Sequence, residues 1–99
     1  MRVAILGTGL IGASLGLALG RLAEVDEVVG YDAHPDNLAV AEERGAVTRV
    51  ATSVPDAVAD ADAVVLAVPV SAVPAVAAAA GPHLRPGAVL TDVASVKTS

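Results

Sequence analysis

Apolar residues gather along this chain into short unbroken runs, separated by glycine or by brief polar stretches. Val3-Ala4-Ile5-Leu6 is bounded by glycine and reads as a strand buried on both faces, the pattern of a parallel sheet. Val28-Val29-Gly30-Tyr31 gives a second strand ending in Asp32, and Ala63 to Val68 gives six apolar residues running into Pro69. Two weaker strands complete the set. Ala46 to Ala51 is interrupted by Thr48 and Arg49, polarity that suits a sheet edge. Ala88-Val89-Leu90-Thr91-Asp92 follows the loop His83-Leu84-Arg85-Pro86-Gly87.

Helical segments fall between these runs. The first carries Gly12, Gly16 and Gly20 at four-residue spacing. That face predicts close packing onto the sheet, at a cost of roughly 1 kcal/mol of helix propensity per interior glycine. The second opens at Pro35, has Asp36 in its first turn and stops at Gly45. Ser53 caps a brief helix with Asp56 three positions on, and Ser71 opens another that Gly81-Pro82 ends. Strand and helix thus alternate through five strands. With right-handed crossovers this predicts an α/β fold, a doubly wound parallel (Rossmann) sheet of order 3-2-1-4-5.

Such sheets bind ligands at the carboxyl ends of their strands, beside the point where strand order reverses. Those ends are Gly7 to Gly12, Asp32 to His34, Ala51 to Ser53, Ala67 to Ser71 and Asp92 to Lys97. The first holds Gly7-Thr8-Gly9-Leu10-Ile11-Gly12, a G-x-G-x-x-G at a strand-to-helix turn. Gly7 permits the tight turn, Gly9 leaves the backbone open to a pyrophosphate, and Gly12 lets the helix lie close to the strand. The helix N-terminus then offers unpaired N–H groups and a favourable dipole to the phosphates. Asp32 lies twenty residues beyond Gly12, where a dinucleotide fold needs a carboxylate for the adenosine ribose hydroxyls. A turn or cap residue before Pro35 is the other reading of Asp32. The candidate cofactor-binding residues are Gly7, Thr8, Gly9, Leu10, Ile11, Gly12, Asp32, Ala67, Val68 and Pro69. NAD is the expected cofactor. The Asp32 carboxylate repels a 2′-phosphate, and Ala33 and His34 supply no arginine to receive one.

Composition narrows the partners. At 99 residues the chain is one domain, small for a complete dinucleotide-dependent enzyme. Tyr31 is the only aromatic, so the core must be built from Val, Leu, Ile and Ala. Six basic against eleven acidic residues give a net charge of -5, which leaves no basic face for nucleic acid. Without cysteine there are no disulfides and no thiolate metal sites, and no metal site is expected. No apolar run reaches the ~18 residues of a membrane span, and the chain opens on a core strand instead of a cleavable leader. Cytoplasm, with no membrane partner, is the expected location.

Four segments carry a family resemblance: Gly7 to Leu15, Gly30-Tyr31-Asp32, Val65-Leu66-Ala67-Val68-Pro69-Val70, and Thr91-Asp92-Val93-Ala94-Ser95-Val96-Lys97. In these the sequence resembles the N-terminal domain of the prephenate and arogenate dehydrogenases. The resemblance covers essentially the whole chain but only the first third to half of such an enzyme. It implies oxidation of prephenate or arogenate with NAD, followed by decarboxylation, in tyrosine biosynthesis. It also implies that residues 1–99 are the dinucleotide-binding domain, truncated before a helical substrate domain through which the full-length enzyme forms a homodimer. Ser95 would hydrogen-bond near the substrate hydroxyl, and Lys97 would position substrate or balance charge beside the nicotinamide. A helix cap and a solvated lysine are the alternative readings of these two. The family's catalytic histidine, in a downstream His-Pro segment, has no counterpart here. Two other readings stay open: the cofactor domain of another β-hydroxyacid or imine-reducing enzyme, and a stand-alone nucleotide-binding module.

Overall fold

The computed structural model describes residues 1–7 and 10–92. Five parallel strands, β1 (Arg2–Leu6), β2 (Glu27–Tyr31), β3 (Arg49–Val50), β4 (Ala63–Leu66) and β5 (Val89–Asp92), form one sheet in the order β3-β2-β1-β4-β5. Helices α1 (Leu10–Leu19), α2 (Pro35–Glu43), α3 (Val54–Val58) and α4 (Val73–Ala80) connect them. The expected doubly wound sheet is therefore the observed one.

Continuous apolar runs arise because each central strand feeds two cores. Successive side chains of a strand point to opposite faces. In β1, Val3 and Ile5 join Val28, Ala41, Ala46 and Val65 on one face, with Leu15 and Leu19 of α1 packed against them. Ala4 and Leu6 join Val29, Ala57, Val58, Val64 and Ala80 on the other. A polar residue anywhere in Val3–Leu6 would be buried, whichever way it pointed. Burying one such aliphatic side chain contributes about 1.5–3 kcal/mol.

Local signals explain the helix ends. Helix α2 begins at Pro35 and finishes in a Schellman turn: Gly45 N–H donates to Glu42 O at 3.1 Å and Ala46 N–H to Ala41 O at 2.8 Å, with Gly45 at φ +75°. Ser53 Oγ accepts from Asp56 N–H at 3.2 Å and caps α3. Ser71 does not cap α4. A single 3₁₀ turn, Val70–Ala72, precedes that helix, and Ala72 takes the cap position without a side-chain hydrogen bond.

Strand β3 is shorter than the run Ala46 to Ala51, and Thr48 shows why. Its backbone N–H donates to Val28 O at 2.8 Å, but the Val28 N–H is taken by the Thr48 hydroxyl, at 2.9 Å, and not by a backbone carbonyl of the ladder. Gly16 and Gly20 of the α1 row also pack differently from expectation. Gly16 is buried, and a Cβ there would collide with the Ala46 carbonyl in the turn leading to β3. Gly20 is exposed and would meet nothing closer than 3.4 Å. Of these two glycines, the close approach is Gly16 against a turn, while Gly20 has no such neighbour.

Candidate functional site: a cleft at the carboxyl edge of the sheet

The chain runs outward from β1 to β2 and β3, then crosses back to β4, so strand order reverses between β1 and β4. Neighbouring crossovers leave on opposite faces there and open a crevice. A cleft of about 450 Å³ lies at this point, lined by the ends of β1 (Leu6, Gly7), β2 (Tyr31 to His34) and β4 (Ala67 to Pro69). Asn37 of α2, Val54 of α3, and Ala72 and Val76 beside and within α4 complete its walls. That volume falls within the usual range for small-molecule sites.

Gly7 forms the floor between the two central strands. Its N–H donates to Tyr31 O at 2.7 Å, while Ala67 N–H donates to Leu6 O at 2.8 Å. The ladder therefore continues one residue past β1 on the β2 side and one residue past β4 on the other. Gly7 has φ +96°, and a Cβ there would stand 2.5 Å from Ala67 O and 2.8 Å from Val68 Cγ1. Only glycine meets both demands.

Asp32 follows β2 and is half-buried. Its Oδ1 accepts from His34 N–H at 2.8 Å and its Oδ2 from the Asn37 amide at 3.3 Å. The first bond is an Asx-turn, which shapes the entry to α2. Asp32 builds the turn into α2, and it also lines the cleft. His34 stands exposed at the rim, in the N-cap position of α2 without a side-chain cap bond. His83 is exposed in the 3₁₀ turn Gly81–His83 that leads toward β5 and is not part of the cleft lining.

Of the sequence-derived candidates, Gly7, Asp32, Ala67, Val68 and Pro69 meet in this one cleft. Leu10, Ile11 and Gly12 are the opening residues of α1. Thr8, Gly9, Ser95 and Lys97 lie outside the described residues. Sequence reasoning missed Asn37, Val54, Ala72 and Val76. The valines carried only the signal of core positions, which they also are, since Val54 and Val76 pack on the α3–α4 core. Asn37 carried no motif, although an amide five residues past Asp32, in the first turn of a helix, is within reach of its carboxylate.

The family model of the prephenate dehydrogenase nucleotide-binding domain matches residues 15–99. This chain belongs to that family. The match begins at Leu15, so it contains Asp32, Ala67, Val68 and Pro69 while the glycine turn precedes it.

Within the prephenate dehydrogenase family, the chain is 37% identical to the cyclohexadienyl dehydrogenase of Zymomonas mobilis over 97 residues, 98% of this chain and 33% of the relative. The crystal structure of Synechocystis arogenate dehydrogenase superposes with a TM-score of 0.87 at 30% identity, covering 96% of this chain and 33% of that one. Prephenate dehydrogenase from A. aeolicus, solved with hydroxyphenyl propionate and NAD+, gives a TM-score of 0.83 at 28% identity over 93% of this chain and 32% of that one. The chain thus spans about a third of the length of these relatives. Among the described residues no helix is long and apolar enough to cross a membrane.

Proposed function

We propose that this chain is the cofactor-binding part of an NAD-dependent prephenate or arogenate dehydrogenase. The observation that carries the reading is the convergence of Gly7, Asp32 and Ala67 to Pro69 on one cleft where strand order reverses. A dinucleotide needs what these residues offer: a backbone it can approach and a carboxylate for ribose. The fit is supported at Gly7, where the positive φ turns the chain from β1 toward α1 and the absent Cβ lets it pass close to Ala67 at the end of β4. Gly9, Gly12 and the opening N–H groups of α1 would take the pyrophosphate.

When bound, the nicotinamide accepts a hydride from the substrate carbon that bears the hydroxyl; loss of carbon dioxide then makes the ring aromatic. The residues of this chain bind and orient. Asp32 selects NAD over NADP, because its charge accepts ribose hydroxyls and repels a 2′-phosphate. Ser95 and Lys97 act on the substrate side. Dehydrogenation also needs a base for the hydroxyl proton. His34 is at the adenosine end of the cleft by its position beside Asp32, and His83 lies outside the cleft lining. A second domain, supplying that base, the substrate pocket and the homodimer contact, is supported by the span of about a third that this chain has in its relatives.

Titration with NAD and NADP tests the cofactor assignment, with tyrosine fluorescence as the signal, since Tyr31 is the only aromatic residue and lines the cleft. Tighter binding of NADP would sink it. Mixing the chain with NAD and prephenate or arogenate, corrected for spontaneous substrate decay, tests the division of labour. No NADH should accumulate. Sustained turnover would show that one domain suffices.

A further inference from the structure

The β2–α2 turn contains a contact that neither the glycine turn nor the ribose carboxylate requires. Asn37, in the first turn of α2 and half-buried, aims its side-chain amide at Asp32 Oδ2 from 3.3 Å and lines the same cleft. His34 N–H holds the other oxygen, Oδ1, at 2.8 Å. One donor comes from the loop backbone and one from a helix side chain, so the plane of the carboxylate is held at both ends. The Asn37 amide thereby adds a constraint on the terminal torsion of the carboxylate, which is broad and roughly two-fold in a free side chain. A carboxylate that must be ordered at the moment of binding gives up affinity for the group it recognises.

We infer that Asn37 is a positioning residue that orients the Asp32 carboxylate toward the adenosine ribose and so sets how strongly the site recognises the 2′-hydroxyl. The inference rests on the reading of the cleft as a dinucleotide site. It goes further by assigning part of the ribose recognition to a residue in the helix. A purely structural role for Asn37, closing the turn into α2, would weaken every ligand of the site equally. A positioning role changes the ratio between ligands that differ only at the 2′ position.

The test measures dissociation constants for NAD and for the NAD analogue lacking the adenosine 2′-hydroxyl. Four proteins are compared: wild type, Asp32→Ala, Asn37→Ala and Asn37→Asp, each checked for folding by far-UV circular dichroism. Asn37→Asp is close to isosteric and suits a helix N-terminus, yet it replaces the donor with a like charge. Wild type should prefer NAD by roughly ten- to a hundredfold, the effect of a hydrogen bond to a charged group. In Asp32→Ala the ratio should fall to about one. In the Asn37 variants it should fall at least about threefold, the effect of losing one pre-ordered side chain. A wild-type ratio retained in both folded Asn37 variants, with collapse in Asp32→Ala, overturns the role of Asn37 and leaves the site assignment standing. No preference in wild type overturns the site assignment and this inference with it. Misfolding of both Asn37 variants assigns the residue to the fold and overturns the inference as well.

Discussion

Replacing Gly7 by alanine puts one methyl group where two central strands are closest. Two costs add. Alanine at φ +96° carries a backbone penalty of about 1–2 kcal/mol. Its Cβ would stand 2.5 Å from Ala67 O and 2.8 Å from Val68 Cγ1, and Ala67 is held in the ladder by its bond to Leu6, so the carbonyl cannot retreat without loss. Overpacking of that kind costs roughly 1–3 kcal/mol. The total, about 2–5 kcal/mol, is a large fraction of the roughly 5–15 kcal/mol that holds a domain together. In a chain of this size it should lower Tm by about 10–30 °C. Gly45 supplies the internal control. It also has positive φ, +75°, but nothing lies within 4 Å of an added Cβ. Gly45→Ala should cost the backbone penalty alone, about 1–2 kcal/mol. Urea unfolding followed by far-UV circular dichroism, with the slope checked for constancy, gives both values. Equal losses for the two variants would refute the close approach of β1 and β4 at Gly7.

Three further outcomes are expected. Gly16→Ala should destabilise by about 1–3 kcal/mol through collision with the Ala46 carbonyl, whereas Gly20→Ala should be neutral or stabilise by about 0.4–1 kcal/mol by restricting the unfolded chain. Both are read by the same urea titration, and a loss at Gly20 matching that at Gly16 would restore a packed stripe along α1. The carboxyl of Asp62 is held below the ordinary carboxylate range chiefly by the Arg2 N–H donating to it at 2.7 Å, with Arg85 and the N-terminal amine adding to this against some desolvation. A folded-state pKa below the unfolded one gives stability that is complete above the ordinary carboxylate value of ~4 and is lost as pH falls through the lowered value. The stability gap between wild type and Asp62→Asn should therefore narrow on going from neutral pH to below ~4, and a gap independent of pH would contradict it. Asp56, lowered mainly by its hydrogen bond from Thr52 N–H and by Arg49, should behave alike, so that Asp56→Asn also loses its deficit in acid.

Much of this molecule was decided within a few residues of chain. Val3 to Leu6 had to be a strand covered on both faces, because four consecutive apolar side chains alternate between two sides and each side needs a core. Pro35 and Gly45 bracketed α2, and Ser53 started α3, because a fixed φ, a left-handed φ and a side-chain acceptor are properties of single residues. Gly7 and Asp32 stood out for the same reason: a turn and a carboxylate at strand ends are local, and strand order follows from the alternation and handedness of the connections. Other features needed the tertiary structure, since they depend on which atoms distant segments bring together. Gly16 is tight because Ala46 lies over it, and Thr48 shortens β3 because Val28 is its neighbour. Asp62 is acidic because the chain returns it to Arg2, 60 positions away. The valines of α3 and α4 look like any core residues until the strand reversal between β1 and β4 opens a cleft beside them. Periodicity reports that a side chain is covered; only the packed molecule decides whether protein or ligand covers it.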